Sequence, residues 1–211
     1  MKKNHYLFWI LLFVGFSANA QQAKNSHYVI PEFTEATVKF KTGPDLKVRL
    51  NYNTVTEEMV YYQNGQTMAI AETSKIDTVY LGGHKFVPAN DVFYEVIKVK
   101  QMDLYIRPLS KALMPNSNAG INISQTSAQT ATNKVRTETI LDSLNLPNYK
   151  IINKSEFYLK KDGNFVRIEH INSLVNLYPE QSKEIRQYAR ANHLDFAQVA
   201  DVKKILAHIQ D

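Results

Sequence analysis

The chain has 211 residues, with 25 basic and 20 acidic side chains for a formal net charge of +5, and it contains no cysteine. Without cysteine there is no disulfide, no thiol nucleophile and no Cys-based metal site, so stability has to come from packing. The length suffices for one sizeable core or two small ones, and the charge surplus is too small to argue for nucleic acid or anionic lipid as a partner.

The chain opens on a secretory pattern. Lys2 and Lys3 form a positive start, Tyr6 to Phe16 (YLFWILLFVGF) an apolar run, and Ala18-Asn19-Ala20 places small residues at a cleavage site after Ala20. The expectation is an exported protein with residues 1–20 as signal peptide, delivered to the periplasm, the outer-membrane region of the cell envelope or the medium. No later run is long enough for a membrane helix. Cleavage removes two lysines and no acid, which lowers the net charge to +3. It also removes Trp9, the only tryptophan, and so disfavours sugar recognition by a tryptophan platform, although tyrosines remain to take that role.

Residues 21–110 read as an antiparallel β domain. In LKVRLNYN, Leu46, Val48, Leu50 and Tyr52 alternate with polar residues, which is the period of a half-buried strand. Val38 and Phe40 alternate in the same way before it, and Gly43-Pro44-Asp45 turns the chain. EMVYYQ and QTMAIA flank Asn64-Gly65, and IDTVYL and HKFVP flank Gly82-Gly83; both pairs suit two-residue hairpin turns. VFYEVIKV and MDLYIR complete eight strands without a crossover helix. Such a series predicts an antiparallel meander closing into a small barrel, roll or sandwich.

Residues 111–148 are rich in Asn, Ser, Thr, Gln and Ala and read as a polar flexible linker, with Ile140–Leu146 as a turn of helix or docking segment. Residues 149–211 return to structured grammar. SEFYLKK and NFVRIEH flank Asp162-Gly163 as a hairpin, and two to three helices follow. One is opened by Pro179 and carries Ile185, Tyr188 and Ala189 on one face. The last carries Val199, Val202, Ile205, Leu206 and Ile209 as an apolar stripe. The expected class is α+β.

Candidate chemistry is sparse. Glu57 and Glu58 are the most tempting acids, but neighbours on a strand point to opposite faces, so the pair reads as a solvated strand end. A small hydrolase using Glu57 or Glu58 with a tyrosine or histidine would require a second acid, such as Asp77 or Glu95, converging in a cleft. His27, His84, His170, His193 and His208 show no metal-ligand spacing, and no nucleophile motif or phosphate loop occurs, so neither metal nor cofactor is expected. Lys183–Arg190 (KEIRQYAR) reads as a solvated helix face, since Glu180 and Glu184 share it. Asp77-Thr78-Val79 and Asp142-Ser143-Leu144 fit a short O-glycosylation acceptor pattern at Thr78 and Ser143.

YVIPEFTEATVKFKTG, LNYNTVTEEMVYYQNG, DTVYLGGHKFVP and FYLKKDGNFVRI together resemble a family of exported Gram-negative proteins of the Bacteroidota type, over essentially the whole mature chain. The resemblance implies export, a β-meander and a helical tail; it implies no activity and no site residue. The leading expectation is therefore a non-enzymatic envelope protein acting through contacts with another protein or with itself. A β-barrel binding a small ligand comes second, and the hydrolase third.

Overall fold

The computed structural model describes residues 26–113 and 150–210. The alternation in the first half becomes eight strands: β1 (Thr34–Phe40), β2 (Leu46–Asn53), β3 (Glu58–Gln63), β4 (Gln66–Ala69), β5 (Ile76–Leu81), β6 (His84–Ala89), β7 (Val92–Val99) and β8 (Met102–Arg107). Two short strands, β9 (Ser110–Leu113) and β10 (Lys150–Asn153), pair only with each other. The hairpin β11 (Glu156–Lys161) and β12 (Asn164–Ile168) follows, then helices α1 (Ile171–Leu177), α2 (Ser182–Ala191) and α3 (Val199–His208).

Ten strands form one antiparallel sheet in the order β12-β11-β8-β7-β6-β5-β1-β2-β3-β4. This is the expected α+β arrangement of meander, hairpin and C-terminal helices. The sheet differs from a barrel in staying open, because β12 and β4 stand at opposite ends and do not pair. The meander also takes one Greek-key step: β5 returns to pair with β1 on the side away from β2. Residues 70–75 make that return past four strand spacings of about 4.8 Å each. The sheet curls over this short connection, and the curl packs the Tyr52 ring on Phe86 at 5.5 Å and edge-on to Phe93 at 6.4 Å.

The hairpin turns have the geometry their residues favour. Asn64-Gly65, Gly82-Gly83 and Asp162-Gly163 all have positive φ at both positions. Asn90 and Asp91 form a fourth such turn, with φ of 50° and 62°, because short polar side chains tolerate the left-handed region. Gly82 has a second reason to be glycine: a Cβ there would meet the Ile30 side chain at 3.3 Å.

One face of the sheet supplies both cores. In the curled half, Leu50, Tyr52, Met59, Val79 and Phe86 fill the concave side. In the other half, Leu104, Ile106, Phe157, Leu159 and Ile168 lie under Leu174, Ile185, Val202, Ile205 and Leu206 of the helices. Burying each such side chain contributes about 1.5–3 kcal/mol before entropy is counted. The stripe on α3 is buried as expected from Val202 to Ile209, whereas Val199, at the first helical position, is 38% exposed. Residues 114–149, which hold most of the expected linker, lie outside the described residues, as do the expected signal peptide and the expected cleavage site after Ala20; Lys111–Leu113 belong to β9. The hairpin β11–β12 continues the main sheet directly, with Glu156 opposite Arg107 and Tyr158 opposite Tyr105.

Gln210 ties the C-terminal end to the β7–β8 turn. Its side-chain oxygen accepts from the Gln101 N–H at 2.8 Å, and its amide nitrogen donates to the carbonyls of Val99 at 3.0 Å and Leu206 at 2.8 Å. Replacing it by alanine leaves these groups without their partners. Gln210→Ala should lower unfolding stability by about 1–2 kcal/mol in a urea titration, and an unchanged midpoint would mean the tie carries no load.

Candidate functional site

The connection between β2 and β3 is buried, which is unusual for a loop. Asn53, Thr54, Val55 and Thr56 are all buried. Their backbone groups are satisfied from three directions. The Asn53 side-chain oxygen accepts from the N–H groups of Val55 at 2.9 Å and Thr56 at 3.1 Å, and its carbonyl accepts from Glu57 N–H at 2.8 Å. The His27 carbonyl accepts from the Thr54 N–H at 2.7 Å and hydroxyl at 2.8 Å, while Ser110 N–H donates to the Thr54 carbonyl at 2.8 Å. Val55 packs on Ala112 of β9 and Ile151 of β10. A loop fixed in this way can hold Glu57 at φ 63°, in the left-handed region that non-glycine residues seldom occupy.

From there Glu57 meets Arg107 at the end of β8. Arg107 Nε donates to Glu57 Oε2 at 2.5 Å and Nη2 donates to Oε1 at 2.9 Å, a forked pair. The same guanidinium reaches Glu156 Oε2 through Nη1 at 3.4 Å. Tyr158 donates its hydroxyl to that oxygen at 2.7 Å, and Arg167 holds Glu156 Oε1 at 2.9 Å and Glu169 at 2.7 Å. Behind Tyr158 the rings of Tyr94 and Phe165 stack at 4.6 Å, with Tyr158 edge-on to Tyr94 at 5.4 Å. The Glu57 and Glu156 side chains are each 13% exposed, so this is a semi-enclosed cluster.

Its electrostatics follow from burial and pairing. Burial alone would weaken the Arg107 cation, but the hydrogen bonds and charge of Glu57, joined by Glu156, raise its pKa overall. Burial, then the hydrogen bond to Glu156, pushes the Tyr158 phenol up to about 12. Tyr52, buried beside Glu57, is raised well above the usual phenol range, mainly by burial, and Tyr94 shifts the same way. Phenols held neutral and carboxylates held by guanidinium groups make a rigid array.

The structure departs from the sequence reading at Glu57, which is a half-buried ion-pair partner rather than a solvated strand end. The cause is the buried loop, which carries the residue inward. Glu58 begins β3 at intermediate exposure. Glu95 meets His84, 2.7 Å away, and not Glu57. Asp77 is exposed and accepts from the Thr78 hydroxyl at 2.9 Å, and Thr78 is buried within β5. Ser143 lies outside the described residues. His170 Nδ1 is 3.1 Å from the Ser173 hydroxyl, His193 turns the chain after α2 at φ 50°, and His208 stacks on Tyr188 at 3.9 Å and reaches Glu184 at 3.1 Å. Within Lys183–Arg190, Ile185 and Ala189 are buried. Among the described residues no three His, Asp or Glu side chains gather as a metal site, and no helix is long and apolar enough to cross a membrane.

Arg107, Glu156 and Tyr158 are absent from the sequence-based candidates. Strand alternation puts Glu156 and Tyr158 on one face, but their meeting with Arg107 depends on the β8–β11 register.

Two measurements probe the cluster. Glu57→Gln and Arg107→Met should each cost about 2–3 kcal/mol, and the double variant less than their sum by about 1–3 kcal/mol; additive losses would mean that the pair does not act as a unit. The second is alkaline stability. Folding favours the protonated Tyr158, so that contribution is complete below the unfolded value near about 10 and is lost as pH rises toward about 12. The melting temperature should fall over this window and fall less steeply in Tyr158→Phe, while Tyr52 and Tyr94 keep part of the slope.

Comparison of the chain with protein families, with curated proteins and with solved structures gives no match.

Proposed function

We propose that this is a non-enzymatic protein of the cell envelope, exported as its leader pattern predicts, which works by surface contact with a protein partner. The observation that carries this reading is the saturation of its most elaborate ionisable cluster: Arg107 takes both oxygens of Glu57, and Arg107, Arg167 and Tyr158 between them take both oxygens of Glu156. A hydrolase built on Glu57 would first have to break a forked ion pair, which weighs against that reading. The interior of the curled half, packed with Tyr52, Phe86, Phe93 and Met59, weighs against an enclosed small-ligand cavity.

Contact surface, in contrast, is on offer at the β4 end of the sheet. Met68 is 42% exposed on β4, Tyr62 is 59% exposed on the neighbouring β3, and Leu46 is 48% exposed on β2, one strand further in. Edge strands with exposed apolar side chains favour pairing with another chain.

The test is photo-crosslinking in cells from an amino acid installed at Tyr62 or Met68, with Lys203 on α3 as the control position. One envelope protein captured from the β4 end, absent from the control and lost in Thr67→Pro, is the expected result. Equal capture from all positions, or none, would overturn the reading.

A further inference from the structure

Charges on the face of the sheet away from the core are not spread evenly. Around β8, β11 and β12 most are paired, Arg107 with Glu57 and Glu156, Arg167 with Glu156 and Glu169, Lys98 with Asp103, while Lys160 lies 5.6 Å over the Phe165 ring without an ion pair among the described residues. Across the middle strands they are not. Cross-strand register there places Lys85 beside Tyr80, Tyr80 beside Thr37, and Thr37 beside Lys47. That row crosses β6, β5, β1 and β2, so its end lysines stand about 14 Å apart at three strand spacings. Lys39, two residues along β1 from Thr37, carries its ammonium 5.7 Å from the Tyr80 ring centre.

Lys39, Lys47 and Lys85 are exposed and form no ion pair among the described residues. The acids nearby are otherwise placed: Glu35 stands opposite Arg49, Asp77 accepts from Thr78, and Asp45 lies in the turn before β2. Arg49 itself donates to the Phe33 carbonyl at 2.8 Å. Tyr80, 43% exposed, is the only large exposed apolar group in the row. A bilayer would be met by several apolar side chains around the cations. A line of spaced ammonium groups with one ring and one hydroxyl between them suits a linear, hydrated polyanion instead.

We propose that this row binds an acidic polysaccharide, with its carboxylates against Lys39, Lys47 and Lys85 and a sugar ring against Tyr80. The proposal rests on the surface-contact reading and names a second partner class, at the middle strands rather than at the β4 edge.

The test is isothermal titration calorimetry of the exported chain, without its leader, with polygalacturonate oligosaccharides at low ionic strength, using dextran as the uncharged control. Binding to polygalacturonate but not dextran is expected, weakening as salt rises. Lys39→Glu with Lys85→Glu should reduce affinity at least about tenfold, and Tyr80→Ala several-fold. Lys183→Glu with Lys203→Glu, the same charge change on the helices, should leave it within about twofold. No binding, or equal loss in both double variants, would overturn the proposal, provided circular dichroism shows the variants folded. So would binding to phosphatidylglycerol vesicles that polygalacturonate does not displace. Failure of glycan binding with crosslinking from the β4 end intact removes the glycan alone; failure of crosslinking with glycan binding intact removes the protein partner and leaves the row.

Discussion

Arg107 fastens together parts of the molecule that the order of strands keeps apart. Glu57 comes from the turn between β2 and β3, near one end of the sheet, and Glu156 from β11, near the other. Curling the sheet carries the turn to the end of β8, and the guanidinium converts that proximity into a fixed geometry. Each ingredient depends on the next. The fork needs Glu57 in a left-handed backbone conformation, that conformation needs a rigid turn, and the turn is rigid because Asn53, His27 and Ser110 satisfy its backbone groups. Charge-assisted bonds in a semi-enclosed site are strong enough to offset backbone strain on the order of 1–3 kcal/mol.

How far the sequence reveals this depends on whether a feature is local. Alternation in LKVRLNYN and the Asn64-Gly65 and Asp162-Gly163 pairs specify strands and turns within a few residues of themselves, and those elements are where the reading places them. The apolar stripe of α3 is legible for the same reason. β9 and β10 are not, because four residues carry too little pattern, and each is a strand only by virtue of the other. The return of β5 to β1 is equally silent, since nothing in residues 70–75 states which strand comes next in space. Glu57 shows the limit most clearly. Its neighbours Asn53, Thr54 and Thr56 look like an ordinary polar loop, and only contacts made by residues far along the chain turn that loop inward.

The two faces of the sheet divide the physical work. One is committed mainly to packing: half of it curls upon itself and half is roofed by helices. Antiparallel sheets can leave the other face to water, which frees that face to vary in chemistry. Here it has two zones, an aromatic and ion-paired zone over β7, β8, β11 and β12, and a lysine-rich zone over the middle strands. Overall composition hides this division, because a small net charge is compatible with one balanced region beside one that is not.

The ladder of β9 and β10 has a different kind of consequence. Its register sets Leu113 directly opposite Lys150, so the chain leaves the folded body and re-enters it at one point. Two residues facing each other across one strand spacing of about 4.8 Å can be joined by a chain of almost any length, so the β9–β10 register by itself places no demand on how many residues lie between them.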